Sequence, residues 1–136
     1  MKVRDRMTVN VLTLDVEEPI RKAWELIEEN KLRRFPVIDR GKLVGVVTDR
    51  DLRNATASSV VLTEKKYHDY LLDTIKIQSI MTPNPATVSP EASLKEAAET
   101  ILEMKVGGLP VVEGGELVGI ITETDLIRTL IDLLPG

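Results

Sequence analysis

The sequence predicts a mixed α/β (α+β) fold, two β-α-β-β-α repeats packed through their sheets with pseudo-twofold symmetry. Three observations carry that expectation. Residues 6–52 align without a gap against residues 80–126, a shift of 74, and 19 of the 47 pairs are identical; a long internal repeat of this kind organises any fold it occurs in. Each repeat holds one stretch with apolar residues at helical spacing. Each also holds two β-rich runs separated by turn chemistry, the signature of a hairpin. A unit of roughly 50 residues buries too little surface to be comfortable alone, and packing two such units together answers that.

The elements follow in order. Residues 11–14 (VLTL) and 86–88 (ATV) read as short extended pieces. Ile20, Ala23, Trp24 and Ile27 recur at helical spacing, as do Leu94, Ala97, Ala98 and Ile101, and predict a helix in each repeat. FPVI and LPVV are β-rich, and their proline points to a strand start or an edge strand. DRGK and EGGE are turns, after which LVGVV and LVGII complete the hairpins. Thr48 and Thr122 then open a last helix. The expected boundaries are 1–54 for the first repeat, 55–78 for a linker and 79–136 for the second repeat. Within the linker, EKKYHDYLLDTI (64–75) has the pattern of an extra amphipathic helix.

Composition narrows the function. At 136 residues the chain is about one domain long. The net charge of −4, with one Phe, two Tyr and one Trp, supplies neither the basic field nor the stacking platforms of a nucleic-acid binder. No run approaches the roughly 18 apolar residues of a membrane helix. The N-terminus MKVRDRMTVN has charges where a signal peptide needs its apolar core. Cysteine is absent, so thiolate metal sites and disulfides are excluded. The expectation is a soluble cytoplasmic protein without nucleic-acid or membrane partners.

The two repeats end in GVVTDRDL (45–52) and GIITETDL (119–126). Thr48-x-x-Asp51 and Thr122-x-x-Asp125 fit a helix capping box, although Glu or Gln is the usual fourth residue. The same residues could hold a ligand at a helix N-terminus, where free N–H groups and the dipole favour an anion. A threonine can cap and face a ligand at once. Asp49/Asp51 and Glu123/Asp125 do not suggest a metal, because positions two apart on a helix do not share a face. His68, beside Tyr67 and Tyr70, reads as a surface or interface residue, and Trp24 as a core residue. No nucleophile–base pair, metal cluster or phosphate-binding loop is recognisable, so no enzyme is expected.

Met-Thr near the start of each repeat, the apolar-Pro-Val run in its middle and the Gly-x-x-Thr-x-x-Asp run at its end come in the same order twice, and this pattern resembles the CBS domain family. Two such units in tandem resemble a CBS pair, or Bateman module, over about residues 1–130, and are also similar to the CBS portion of acetoin-utilisation AcuB-type proteins. The resemblance implies a regulatory module without catalytic activity. It would bind an adenosine-containing ligand (AMP, ADP, ATP or S-adenosylmethionine) in clefts between the repeats, require no cofactor, and transmit occupancy through its geometry. It also implies a homodimer of CBS pairs and an effector protein acting in trans. The aspartate would accept hydrogen bonds from ribose hydroxyls, bonds to a charged group that contribute about 1.5–3 kcal/mol.

Carried onto this sequence, one site comprises Asp51 with Val46, Thr48, Arg33, Arg34 and Arg50, and an adenine wall of Asn84, Pro85, Ala86, Val106 and Gly107. The other comprises Asp125 with Ile120, Thr122, Thr124 and Gly108, and Asn10, Val11, Leu12, Leu32 and Arg33. The repeats differ where phosphate would lie. Arg33-Arg34 in the first corresponds to Gly107-Gly108 in the second, while Arg50 and Arg53 correspond to Thr124 and Ile127. Guanidiniums suit bidentate phosphate recognition, so Asp51 marks the expected polyphosphate site and Asp125 one for AMP or a less charged ligand. The alternatives are a solvated arginine pair and a tight glycine loop. The competing function is a ligand-free structural or dimerisation module.

Overall fold

The computed structural model describes residues 1–62 and 65–136, with side chains described outside 57–66. It divides into two compact units, Leu12–Asn84 and Met1–Val11 with Pro85–Gly136. These units cut the chain differently from the sequence boundaries 1–54, 55–78 and 79–136. The segment leading into each repeat folds with the other repeat's hairpin, and the linker belongs to the first unit.

In the Leu12–Asn84 unit, β1 (Leu14–Asp15) lies parallel to β2 (Arg34–Asp39). β2 forms an antiparallel hairpin with β3 (Lys42–Thr48), and β4 (Thr82–Pro83) closes the far side of β3. Arg40 and Gly41 turn the hairpin, both with positive φ (52° and 80°), as a two-residue turn matched to strand twist requires. The helix α1 (Val3–Arg6) belongs to the other unit. Here α2 (Ile20–Asn30), α3 (Asp49–Leu62), α4 (Lys65–Thr74) and α5 (Ile77–Ile80) cover the sheet. The extra linker helix is therefore present over Lys65–Thr74, residue 64 of its expected span lying outside the described residues. Leu14, Ile20, Ala23, Phe35, Val37, Val47, Leu52 and Ile77 form the core. The expected helical stripe holds: Ile20 and Ala23 are fully buried, and Trp24 and Ile27 pack partly buried against that core. α4 is tied to α2 by Arg21, whose guanidinium hydrogen-bonds Asp73 and approaches Asp69. The bond from Arg21 holds the Asp73 carboxyl below its usual range, and the same bond raises Arg21.

The other unit repeats this plan at shifted positions. β5 (Gly108–Glu113) and β6 (Glu116–Thr122) form the hairpin, turned by Gly114 and Gly115 with φ 57° and 83°. Val88 bridges Val111 in parallel, and Thr8 bridges Ile120 antiparallel, the places taken by β1 and β4 in the first sheet. α6 (Leu94–Met104) and α7 (Glu123–Leu133) complete it around Val3, Ala97, Leu109, Val111 and Ile121.

Two features escape the sequence pattern. The short helices α1 and α5 carry the buried anchors Val3 and Ile77. Val3 N–H donates to Ala92 O and Ile77 N–H to Glu18 O, each at 2.8 Å. One turn has too few apolar residues to show a period. The strand-start or edge expectation also misplaces Pro36, whereas Pro110 lies in β5 of a two-stranded sheet, as an edge position requires. Pro36 and Pro110 are buried inside their strands, and β2 is an interior strand. In the second unit Val88 N–H donates to Pro110 O and Val112 N–H to Val88 O. The N–H that Pro110 lacks would point past the end of that short bridge, so no ladder bond is lost.

Candidate functional site

The repeated Thr-x-x-Asp motifs sit where a hairpin's second strand enters a helix. At α3 the Thr48 N–H donates to Asp51 Oδ2 at 2.9 Å, and the Asp51 N–H donates to Thr48 Oγ1 at 3.2 Å. At α7 the matching bonds are Thr122 N–H to Asp125 Oδ2 at 2.9 Å and Asp125 N–H to Thr122 Oγ1 at 3.3 Å. Both motifs are thus reciprocal capping boxes, with aspartate in the place of the usual Glu. The capping role leaves lone pairs on each carboxylate, so it does not exclude a ligand.

The two carboxylates differ. Asp125 Oδ2 also accepts from the Thr122 hydroxyl at 3.0 Å, and Asp125 Oδ1 accepts from the Thr8 hydroxyl at 3.1 Å. Among the described residues Asp51 Oδ1 has no hydrogen-bond partner, and Thr82, the counterpart of Thr8, makes no bond to Asp51. Thr8 is held firmly: its N–H donates to Ile120 O at 2.8 Å and its carbonyl accepts from Ile120 N–H at 2.9 Å. This approach needs Gly119, because a Cβ there would lie 2.8 Å from Thr8 O and 2.9 Å from Met7 Sδ. Gly45 stands in the same relation to Met81 and Thr82, at 2.6 Å from Met81 Sδ and 2.9 Å from Thr82 O. The repeated Met-Thr and Gly are therefore one device, a close strand crossing.

Arg34 lies in register with Thr48 across the first hairpin, and Arg33 O accepts from Asp49 N–H at 3.0 Å. Both arginines flank the N-terminus of α3. Among the described residues the side chains of Arg33, Arg34 and Arg50 have no ion-pair partner, whereas Arg53 pairs with Asp49 at 3.5 Å. In the second hairpin Gly108 is in register with Thr122, and Gly107 O accepts from Glu123 N–H at 3.0 Å. A Cβ on Gly108 would lie 2.9 Å from Ile121 O and 3.0 Å from Thr122 Cγ2, so this glycine serves a close strand approach.

Of the residues expected around Asp51, Arg33, Arg34, Val46, Thr48, Arg50 and Asn84 share its unit, while Pro85, Ala86, Val106 and Gly107 belong to the other. Of those expected around Asp125, Asn10, Val11, Gly108, Ile120, Thr122 and Thr124 share its unit, while Leu12, Leu32 and Arg33 do not. Asn10 and Asn84 adopt left-handed backbone, φ 58° and 49°, which asparagine tolerates better than most residues. Sequence reasoning missed Thr8 as a site residue. Its repetition with Thr82 was visible, but nothing local connects it to Asp125.

Away from these motifs, a cavity of about 600 Å³ lies among α2, α3 and α4, lined by Arg21, Trp24, Glu25, Glu28, Arg53 and Leu72 among others. Trp24, read from sequence as a core residue, packs against the core of its unit, and its buried Nε1 has no hydrogen-bond partner among the described residues. No group of acidic or histidine side chains among the described residues could hold a metal ion. No described helix is long and apolar enough to cross a membrane.

Two units of one β-α-β-β-α plan, each ending in a threonine–aspartate box, define a tandem-repeat module. The chain belongs to the CBS domain family, whose model matches residues 3–58 and 77–132. Among solved structures it is similar to CBSX2 of Arabidopsis thaliana in complex with AMP, at 33% identity and a TM-score of 0.84, covering 98% of this chain and 99% of that one. It is similar to AcuB, a protein assigned to acetoin utilization in Vibrio cholerae (35%, TM-score 0.82, 98% and 92%). It is also similar to the CBS domain pair of protein MJ0100 in complex with 5′-methylthioadenosine and S-adenosylmethionine (25%, TM-score 0.81, 97% of each chain). One curated relative, from Dictyostelium discoideum, is 35% identical and is spanned over 92% of its length. Other curated relatives are spanned over only 46% and 22% of theirs.

Proposed function

We propose that this chain is a non-catalytic sensor of adenosine-containing ligands, with Asp51 as the principal ribose acceptor. The observation that carries this reading is the open Oδ1 of Asp51 at the N-terminus of α3, flanked by Arg33, Arg34 and Arg50. A carboxylate suits two vicinal hydroxyls. A helix N-terminus with unpaired guanidiniums suits the phosphate attached to the same nucleoside. The neighbours solved with AMP and with S-adenosylmethionine support the ligand class. The arginines favour AMP, ADP or ATP at Asp51, and the glycines at Gly107 and Gly108 favour a less charged adenosine ligand at Asp125. Ligand binding would act by linkage, biasing only those states of the module that bind it differently.

The test is thermal unfolding with AMP, ADP, ATP and S-adenosylmethionine in turn. A ligand at about 100 times its dissociation constant adds roughly 2.7 kcal/mol. No shift with any of the four would sink the sensor reading in favour of an interaction module. A specific observation favours association as a second role: Leu102 on α6 and Ile127, Leu130 and Ile131 on α7 are all more than half exposed. Exposed apolar residues of this kind mark contact surfaces, and we propose that they serve a homodimer, testable by sedimentation of the wild type against Ile131→Glu.

A further inference from the structure

We propose that Thr8 sets the sugar selectivity of the Asp125 end, so that the two aspartates read a ribose differently; the proposal rests on the adenosine reading above. An ionised carboxylate offers about four lone-pair positions, two on each oxygen. At Asp51 one is used, by Thr48 N–H on Oδ2. Three remain among the described residues, enough for both hydroxyls of a vicinal diol. At Asp125 three are used: Thr122 N–H and the Thr122 hydroxyl fill Oδ2, and the Thr8 hydroxyl takes one position on Oδ1. One position is left, and it accepts one hydroxyl.

Thr8 is placed to hold that condition. Its two backbone bonds to Ile120 and its contact against Gly119 fix the strand position from which the hydroxyl reaches Asp125. Thr82 has the matching backbone pairing, opposite Val46 and against Gly45, yet leaves Asp51 Oδ1 open. The difference between the two ends therefore lies in two hydroxyls, those of Thr122 and Thr8, rather than in the strand pairing, and only the Thr8 hydroxyl takes a position on Oδ1. The Asp51 end demands an intact 2′,3′-diol. The Asp125 end tolerates a ligand lacking either hydroxyl, and so admits deoxyribonucleosides and sugar-modified adenosines that the other end rejects.

Titration calorimetry with AMP and 2′-deoxy-AMP tests this, with Asp125→Ala isolating the Asp51 end and Asp51→Ala isolating the Asp125 end. Losing one bond to a charged acceptor should weaken 2′-deoxy-AMP by about tenfold or more in Asp125→Ala. In Asp51→Ala the two ligands should differ by less than about threefold. Adding Thr8→Val to Asp51→Ala should raise that ratio to about tenfold, and Thr8→Ser, which keeps the hydroxyl, should leave it low. Thr8→Ala replaces Thr8→Val if the latter does not melt cooperatively. Equal ratios at the two ends, or a ratio unmoved by loss of the Thr8 hydroxyl, or Thr8→Ser behaving as Thr8→Val, would overturn the role of Thr8 while leaving adenosine binding intact. No heat with AMP, ADP, ATP or S-adenosylmethionine on the wild type would overturn the adenosine reading and this one with it.

Discussion

The N-termini of α3 and α7 are built from the same four-residue box on the same hairpin, yet they present different chemistry. At α3 the aspartate keeps one oxygen without a protein partner among the described residues, and three unpaired arginines stand on the adjoining backbone. At α7 the corresponding carboxylate is bonded on both oxygens, and glycines take the arginine positions of the strand. A duplicated scaffold can therefore keep its local capping geometry while its two copies diverge in acceptor capacity and charge. The two backbone bonds of the capping box are common to both ends, so the Thr122 hydroxyl and the neighbours of the box decide what each end can hold.

The largest expected effect is at Asp51. Asp51→Ala should weaken AMP or ATP binding by about tenfold to a hundredfold, the loss of about 1.5–3 kcal/mol from bonds to a charged acceptor. Asp125→Ala should weaken it less. A larger loss at Asp125 than at Asp51, read by calorimetry, would reverse the assignment. Next in size is Gly119→Ala, whose new Cβ meets the Thr8 carbonyl. It should cost about 1–3 kcal/mol of stability, as overpacking does, visible as a lowered melting temperature. An unchanged melting temperature would show that the crossing relaxes freely.

Arg34→Glu sharpens the charge half of the comparison. It should weaken ATP by about fivefold relative to adenosine, as a partly exposed charge pair of about 1 kcal/mol implies. Equal losses for the two ligands would remove Arg34 from the phosphate. Stability distinguishes the aspartates a second way. Asp125→Ala should destabilise by about 1 kcal/mol more than Asp51→Ala, because it also releases the Thr8 hydroxyl; chemical denaturation measures the difference. The smallest effect concerns the clasp between α2 and α4. The Asp73 carboxyl is held below its ordinary value by Arg21, so the clasp contributes at pH values above the ordinary carboxylate range and is lost as pH falls through the depressed value. Asp73→Asn should remove that acid sensitivity, and an unchanged low-pH profile would show that the clasp carries none.

Much of this molecule is written within short stretches. The repeat, offset by 74 residues, is plain on aligning the chain with itself, and the hairpins turned by Arg40-Gly41 and Gly114-Gly115, the helices at Ile20 and Leu94 and the two capping boxes follow from hydrogen bonding and apolar spacing among residues a few positions apart. The charge contrast between Arg33-Arg34 and Gly107-Gly108 is equally plain from the residues. Other features were out of reach for a stated physical reason. A one-turn helix such as Val3–Arg6 has no period to detect, and the proline rule for edge strands fails where the partner strand is too short to need the missing N–H.

The repeating plan and the chemistry available at each helix end are legible in the residues alone, because both are set within short stretches of chain. Which leading segment joins which hairpin, and that Thr8 meets Asp125, follow from the fold. Those two residues stand 117 positions apart, and their hydrogen bond exists because the path of the backbone, fixed by the close crossing at Gly119, carries one to the other.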